Sequence, residues 1–148
     1  MTQNSPNRLV VFDCDGTLVD SQHAIVEAMK TAFRHHALAE PPAEATRRTV
    51  SLSLGEAVGR LLPAGAQDKL DGVVAQYKEA AYILRQQPEH EEPLYPGVVQ
   101  VLQSLLSKGY YLGVATGKSR RGLQATLERH ALHDHFITLK TADDGPGK

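Results

Sequence analysis

Two aspartates follow an apolar run near the start of the chain. The run Leu9–Phe12 leads directly into Asp13 and Asp15, and a glycine and a threonine come next. Such a run predicts a strand buried on both faces, and residues two apart on an extended chain point the same way. Two like charges there need compensation. A carboxylate can attack phosphorus, a second can carry the proton, and Mg²⁺ is a hard cation that suits both. We therefore predict a phosphoryl-transfer site at Asp13 and Asp15, with Mg²⁺ as cofactor.

Further positions are suited to holding a phosphoryl group. Gly16 permits a tight turn that presents N–H groups to an anion. Thr116 and Gly117 lie between a predicted strand and a predicted helix. The threonine hydroxyl and the local N–H groups are therefore expected to bind a phosphate oxygen. Lys148 is expected to neutralise charge on the transferring group. Together these positions predict a binding site for a small phosphorylated metabolite.

The spacing of apolar residues predicts the elements that position these side chains. Helical spacing runs through residues 21–85, and the polar, proline-bounded segment 86–93 follows it. Residues 98–106 then predict a helix, while 110–115 and 136–141 predict strands separated by another helix. Strands that alternate with helices indicate a parallel α/β sheet, in which ligands bind beyond the carboxyl ends of the strands.

The predicted domain organisation follows from where the helical block lies. It separates the first strand from the remaining strands, so the fold class is α/β, with a parallel Rossmann-like sheet and an inserted α-helical domain. We expect a split core at 1–19 and 93–148 and the helical insertion at 20–92. Asp20 and Ser21 are expected to start the first helix of the insertion rather than to contact substrate. Asp13 and Thr116 each follow a strand, so they should meet at one rim of the sheet.

Composition narrows the class of protein. The chain has 148 residues, is 41% hydrophobic and carries a formal net charge of −1. Because the charges nearly balance, we expect neither nucleic acid nor an anionic membrane surface to be a partner. Nowhere do eighteen apolar residues run together, so no membrane span is predicted. Cys14 is the single cysteine, which suits a reducing compartment and leads us to expect a cytoplasmic protein.

Three segments resemble the motifs of one family. The stretch D-C-D-G-T-L-V-D-S at 13–21 resembles the first motif, D-x-D-G-T, of the haloacid dehalogenase superfamily. The stretch A-T-G at 115–117 resembles its second motif, and T-A-D-D-G-P-G-K at 141–148 resembles the approach to its third-motif lysine. Residues 20–92 resemble the helical cap of the phosphoglycolate-phosphatase-like branch, and L-Y-P-G-V at 94–98 resembles that branch's return into the core.

The resemblance implies a role for each matching residue. Asp13 would be the nucleophile and a Mg²⁺ ligand, and Asp15 the general acid–base, with its backbone carbonyl also on the metal. Thr116 would bind phosphate, and Lys148 would stabilise charge. Cys14 occupies the variable position of the first motif and is given no chemical role. The implied activity is Mg²⁺-dependent hydrolysis of a small phosphate monoester, with phosphoglycolate the favoured substrate.

One feature departs from the family pattern. The family carries a fourth acidic motif on a strand after the lysine, where it completes the Mg²⁺ site, whereas this sequence ends at Lys148. Asp143 and Asp144 precede the lysine and do not match that motif. With three predicted strands, the first pairs only with the second and leaves a long apolar edge bare. We expect an incomplete core, the N-terminal part of a longer protein, that can self-associate through the open edge.

Three other interpretations fit the same residues. A phosphosugar mutase of the same superfamily would pass the phosphoryl group to a sugar instead of water, and the sequence does not separate it from a phosphatase. A phospho-receiver module also combines an acidic pair, a threonine and a lysine on a parallel sheet, but it leaves the long helical insertion unexplained. A catalytically incomplete fragment would bind phosphate weakly or assemble through its open edge.

Overall fold

A computed structural model describes residues 6–146 of the chain. Within them, three strands and six α-helices alternate in the predicted order. The strands are β1 (Leu9–Phe12), β2 (Tyr111–Ala115) and β3 (Thr138–Lys140). The helices are α1 (Gln22–His35), α2 (Ala43–Arg47), α3 (Leu54–Leu61), α4 (Leu70–Gln86), α5 (Val98–Ser107) and α6 (Arg120–Arg129).

The strands of the described chain form one parallel sheet in the order β1-β2-β3. Leu9 pairs with Tyr111 between the first two strands, and Val114 pairs with Leu139 between the second and third. Since all three strands point the same way, their carboxyl ends share one rim, as a parallel α/β sheet requires. The predicted fold class, a parallel sheet with an inserted helical block, is confirmed.

The prediction that β1 is buried on both faces is wrong. The side chains of Leu9 and Val11 are 51% and 52% exposed. Val10 and Phe12, on the opposite face, pack against the core, so only one face of β1 is covered. Within residues 6–146, β1 pairs with β2 alone. The bare apolar edge that the strand count predicted is therefore present. Self-association through that edge stays a prediction.

Two separate hydrophobic clusters support the two parts of the chain. One joins the sheet to α5 and α6 through buried side chains that include Val19, Leu102, Leu112 and Leu127. The other lies among α1, α3 and α4, and its members include Met29, Phe33, Val58 and Val73. Residues 22–86, called the cap from here on, thus have a core of their own, because their apolar faces pack against one another.

The chain passes between sheet and cap at two adjacent points. Val19 forms an antiparallel bridge with Leu94, the Asp20 N–H donates to the Pro93 carbonyl at 2.8 Å, and the Tyr95 N–H donates to the Leu18 carbonyl at 3.0 Å. The outgoing and returning segments are therefore tied side by side. No helix of the described chain is long and apolar enough to span a bilayer.

Candidate active site

The loop that follows β1 turns sharply and carries both predicted acids. The Asp13 carboxylate accepts a hydrogen bond from the Cys14 N–H at 2.7 Å. Gly16 has a φ of +80°, a conformation that favours glycine, so the predicted tight turn is present. Its N–H donates to the Val19 carbonyl at 3.0 Å. That N–H is therefore used inside the turn rather than offered to an anion.

The Asp15 carboxylate is held by two donors that the sequence did not predict. Its Oδ1 accepts a hydrogen bond from the Ser21 hydroxyl at 2.6 Å and another from the Lys118 ammonium at 2.9 Å. The Asp15 side chain is only 12% exposed, so the charge on its carboxylate needs a close partner. Lys118 supplies that partner. Ser21 does precede α1, but its side chain makes no capping bond and donates to Asp15 instead.

Lys118 also lies near a second buried carboxylate. Its Nζ is 3.6 Å from Oε1 of Glu92, a residue that is 5% exposed. The Thr126 hydroxyl donates to the same oxygen at 3.2 Å, and His90 Nε2 lies 3.4 Å from the other oxygen. Burial lowers the pKa of Lys118, but Asp15 and Glu92 outweigh that effect, so the pKa is raised above its usual value. One protonated lysine thus balances two carboxylates.

The loop after β2 presents the predicted phosphate-binding residues. Thr116 is 6% exposed, and its Oγ1 accepts a hydrogen bond from the Lys118 N–H at 3.1 Å. A Cβ added to Gly117 would lie 2.8 Å from the carbonyl oxygen of Leu52 in the cap. The close approach of two backbones therefore requires a glycine here. The position brings the cap directly over the rim of the sheet.

The rim and the cap enclose a cavity of about 400 Å³. Its side toward the sheet is polar, and the residues there are Asp15, Ser21, Glu92, Thr116, Gly117 and Lys118. Three of the predicted site residues, Asp15, Thr116 and Gly117, are thus brought together. Asp13 and Gly16 belong to the same loop as Asp15 but are not among the lining residues. Lys148 lies outside the described residues, so its predicted role stays a prediction.

The donor set at this rim is consistent with Mg²⁺. In residues 6–146 no group of three or more His, Cys, Asp or Glu side chains is placed to hold a metal ion. Mg²⁺ usually takes only one or two carboxylates and completes its shell with phosphate oxygens and water. Asp13 and Asp15 supply hard oxygen donors of that kind, two residues apart on one loop. The residues present therefore fit Mg²⁺, although Lys118 already balances the charge on Asp15.

Cys14 lies between the two acids but does not take part in their chemistry. The residue is completely buried. Burial, and then the nearby Asp15 carboxylate, raise the pKa of its thiol to about 12. The thiol is therefore neutral and shielded at physiological pH. This agrees with the expectation that Cys14, at the variable position of the motif, has no chemical role.

Replacing Gly117 with alanine tests how closely the cap must approach the rim. The new Cβ would overlap the Leu52 carbonyl, and the backbone cannot yield as a flexible side chain would. We expect the free energy of unfolding to fall by about 1–3 kcal/mol. We expect kcat/KM for a phosphate monoester to fall about 10- to 100-fold, because the cap is displaced. Urea unfolding and steady-state kinetics measure the two effects.

The matched control for that variant is Gly59→Ala in helix α3. A Cβ at Gly59 would lie 4.0 Å from the Leu70 side chain, which is ordinary contact. Alanine there should leave activity unchanged and add roughly 0.5–1 kcal/mol of stability, because glycine disfavours a helix interior. Equal behaviour of the Gly117→Ala and Gly59→Ala variants would contradict the close approach of cap and rim.

The chain is similar in sequence to curated phosphatases. The chain is 36% identical over 137 residues to the protein named "Probable phosphatase IndB" of Dickeya dadantii, and covers 59% of it. It is 30% identical over 141 residues to a phosphoglycolate phosphatase of Rhodospirillum rubrum, and covers 58% of it. These alignments use 91% and 92% of this chain. The chain therefore spans about three fifths of the length of these curated relatives.

The fold recurs in solved structures. A Bacteroides fragilis protein described as haloacid dehalogenase-like superposes with a TM-score of 0.83 at 23% identity. That superposition covers 95% of this chain and 66% of the other. Residues 10–148 match the family described as haloacid dehalogenase-like hydrolase. The match takes in the loop after β1, the cap and the loop after β2, so the chain belongs to the haloacid dehalogenase-like hydrolase family.

Proposed function

We propose that this chain carries a phosphatase active site that hydrolyses small phosphate monoesters. One observation carries the proposal. Asp15, oriented by Ser21 and Lys118, lines the same cavity as Thr116 and Gly117, at the carboxyl ends of adjacent parallel strands. The phosphatase names of the two relatives support this activity. The phospho-receiver alternative has no comparable support, because the helical cap stands between β1 and β2.

The reaction assigned to these residues has two steps. In the first, the Asp13 carboxylate attacks phosphorus, the bond to the leaving oxygen breaks, and protonated Asp15 gives its proton to that oxygen. In the second, the Asp15 carboxylate takes a proton from a water molecule, which attacks the aspartyl-phosphate. Inorganic phosphate leaves and the Asp13 carboxylate is restored. The Lys118 ammonium, 2.9 Å from Asp15 Oδ1, would stabilise the carboxylate that acts in the second step.

Binding of the phosphoryl group is assigned to the loop after β2. The Thr116 hydroxyl and the N–H groups near Gly117 would bind its oxygens, and Lys148 would balance its charge. The Asp13 carboxylate and the Asp15 backbone carbonyl would hold Mg²⁺. Bound there, Mg²⁺ would neutralise charge on the phosphate oxygens. The cap would exclude bulk water from the site.

Dependence on Mg²⁺ is tested by removing the metal ion. We expect phosphate release from small phosphate monoesters, phosphoglycolate among them, to fall on the order of 100-fold or more after chelation by EDTA. Added Mg²⁺ should restore it. A thermal-unfolding series supplies a readout that does not need turnover: Mg²⁺ should raise the Tm of the native chain but not that of the Asp13→Asn variant. Phosphate release that persists in EDTA would refute the metal assignment.

A further inference from the structure

The wall of the cavity opposite the rim is apolar. It is built by side chains from α1, from the segment after α2 and from α4. Its main members are Ile25, Met29, Leu52, Val74, Ala81 and Leu84. Three separate parts of the cap thus present hydrocarbon toward the residues that would hold the phosphoryl group. A cavity with one apolar side and one polar side favours a ligand that has one apolar end and one polar end.

The volume of the cavity exceeds what a very small substrate would fill. A closed apolar cavity of about 150 Å³ is large enough to hold benzene. The roughly 400 Å³ found here therefore has room for a phosphoryl group at the rim and a ring-sized body against the cap wall. Unfilled apolar space beside a short substrate would contribute no contacts and so no affinity.

Cations line both sides of the cavity: Lys118 and Arg121 belong to the sheet side, and Lys78 and Arg85 to α4 of the cap. Lys118 is already paired with Asp15 and Glu92. On the cap side, Lys78 is exposed and Arg85 is half-buried. Burial raises the pKa of the Tyr77 hydroxyl to about 12, so this side chain adds no charge to the cap wall. Apart from these two cations, the cap wall is mainly hydrocarbon, so most of the surface that faces the leaving alcohol is suited to an apolar group.

We infer that the preferred substrate is a phosphate ester of an apolar, ring-bearing alcohol rather than of a short carboxylated one. The inference rests on the proposed function, since it takes the phosphoryl group to lie at Asp15 and Thr116. It assigns the cap wall formed by α1, α4 and the segment around Leu52 as the surface that selects the alcohol. Desolvation of the ring against this wall supplies the discrimination.

Non-hydrolysable phosphonates test the preference without turnover. Calorimetry with Mg²⁺ present would compare 2-phenylethylphosphonate, ethylphosphonate and 3-phosphonopropionate. We expect the phenyl compound to bind at least about tenfold more tightly than the ethyl compound, and the carboxylated compound to gain nothing over it. Equal affinities, or a preference for the carboxylated compound, would overturn the inference and leave the phosphatase proposal intact. No binding of any phosphonate would overturn both.

A pair of alanine-to-leucine variants locates the preference on the cap wall. Ala81→Leu adds volume inside the cavity, whereas Ala75→Leu makes the same change on the exposed side of the same helix. We expect Ala81→Leu to weaken binding of the phenyl compound at least fivefold, with ethylphosphonate unaffected. Ala75→Leu should match the native chain for both compounds. If the Ala81→Leu variant still preferred the phenyl compound over ethylphosphonate to the same extent, the cap wall would not be the surface that selects the alcohol.

Discussion

Asp13→Asn should lower the rate of phosphate release by a factor on the order of 10⁴ or more, because an amide cannot form the aspartyl-phosphate. The fold should survive the change. The Asn side-chain oxygen can still accept the hydrogen bond that the Asp13 carboxylate takes from the Cys14 N–H. Single-turnover phosphate release from a phosphate monoester, with circular dichroism as the check on folding, measures the effect.

The control for this variant is another aspartate in the same loop. Asp20 is exposed and does not line the cavity. Asp20→Asn therefore makes the same substitution at a position that does not contact the reacting groups. Its turnover should stay within about twofold of the native value. If Asp13→Asn kept a rate within tenfold of the native chain, Asp13 would not be the nucleophile. If both variants lost activity together, the loop rather than the carboxylate would be responsible.

Lys118→Met is expected to damage both stability and activity. It leaves Asp15 and Glu92 as buried carboxylates without their shared cation. Removing one partner of a buried ion pair costs about 3–5 kcal/mol, so the free energy of unfolding should fall by that amount. Phosphate release should fall by about 10²- to 10⁴-fold, the usual contribution of a positioned acid–base group, because Asp15 loses the donor that orients it. Urea unfolding and phosphate release measure the two losses.

The pH dependence of that stability loss has a definite sign. The pKa of Lys118 in the folded chain lies above the usual 10.5 of a lysine, so folding favours its protonated form. Its stabilisation is therefore complete at pH values below about 10.5 and declines as the pH rises further. The difference between the native chain and Lys118→Met should stay constant from about pH 7 to 9 and shrink above pH 10.5. A difference that grows at alkaline pH would contradict the pairing.

Two further variants test whether the stability lost in Lys118→Met comes from the buried positive charge. Lys118→Arg keeps the positive charge and should recover part of the lost stability. Lys78→Met removes a lysine that lines the same cavity but is exposed, so its unfolding free energy should change by less than about 0.5 kcal/mol. If Lys118→Met and Lys78→Met lowered the unfolding free energy equally, the buried ion pairs of Lys118 would add no stability beyond that of an exposed lysine.

The sequence was sufficient to predict the parts of the site that depend on local pattern. An apolar run into Asp13 and Asp15, and a strand into Thr116, are short-range signals, and parallel strands necessarily bring their ends to one rim. The Lys118–Glu92 cluster has no such signal. Glu92 stands in the polar segment 86–93 and Lys118 in a basic stretch, so each is typical of a solvated charge. Their pairing depends on packing between segments far apart in the chain.

Ser21 and β1 show two other limits of sequence reasoning. Serine before a helix is the common capping residue, so nothing in the sequence pointed its hydroxyl toward Asp15. Only the fold reveals that the turn at Gly16 brings the two side chains together. For β1, hydrophobicity predicted a buried strand, but burial depends on whether a neighbour lies on each side. Leu9 and Val11 are exposed because they share the exposed face of the sheet with Tyr111, whereas Val10 and Phe12 lie on the face that packs against the core.

The insertion of the cap between β1 and β2 also has a consequence for the order of folding. Leu9 pairs with Tyr111, about a hundred residues further along the chain. Such a non-local pairing slows folding when the chain between the two residues is unfolded. The cap has its own apolar cluster, and its helices are nearer in sequence. Once it forms and the Val19–Leu94 bridge closes, the loop that remains open consists only of the segments 9–19 and 94–111. We therefore expect the cap to assemble first and to act as the template on which the sheet, and with it the catalytic rim, is registered.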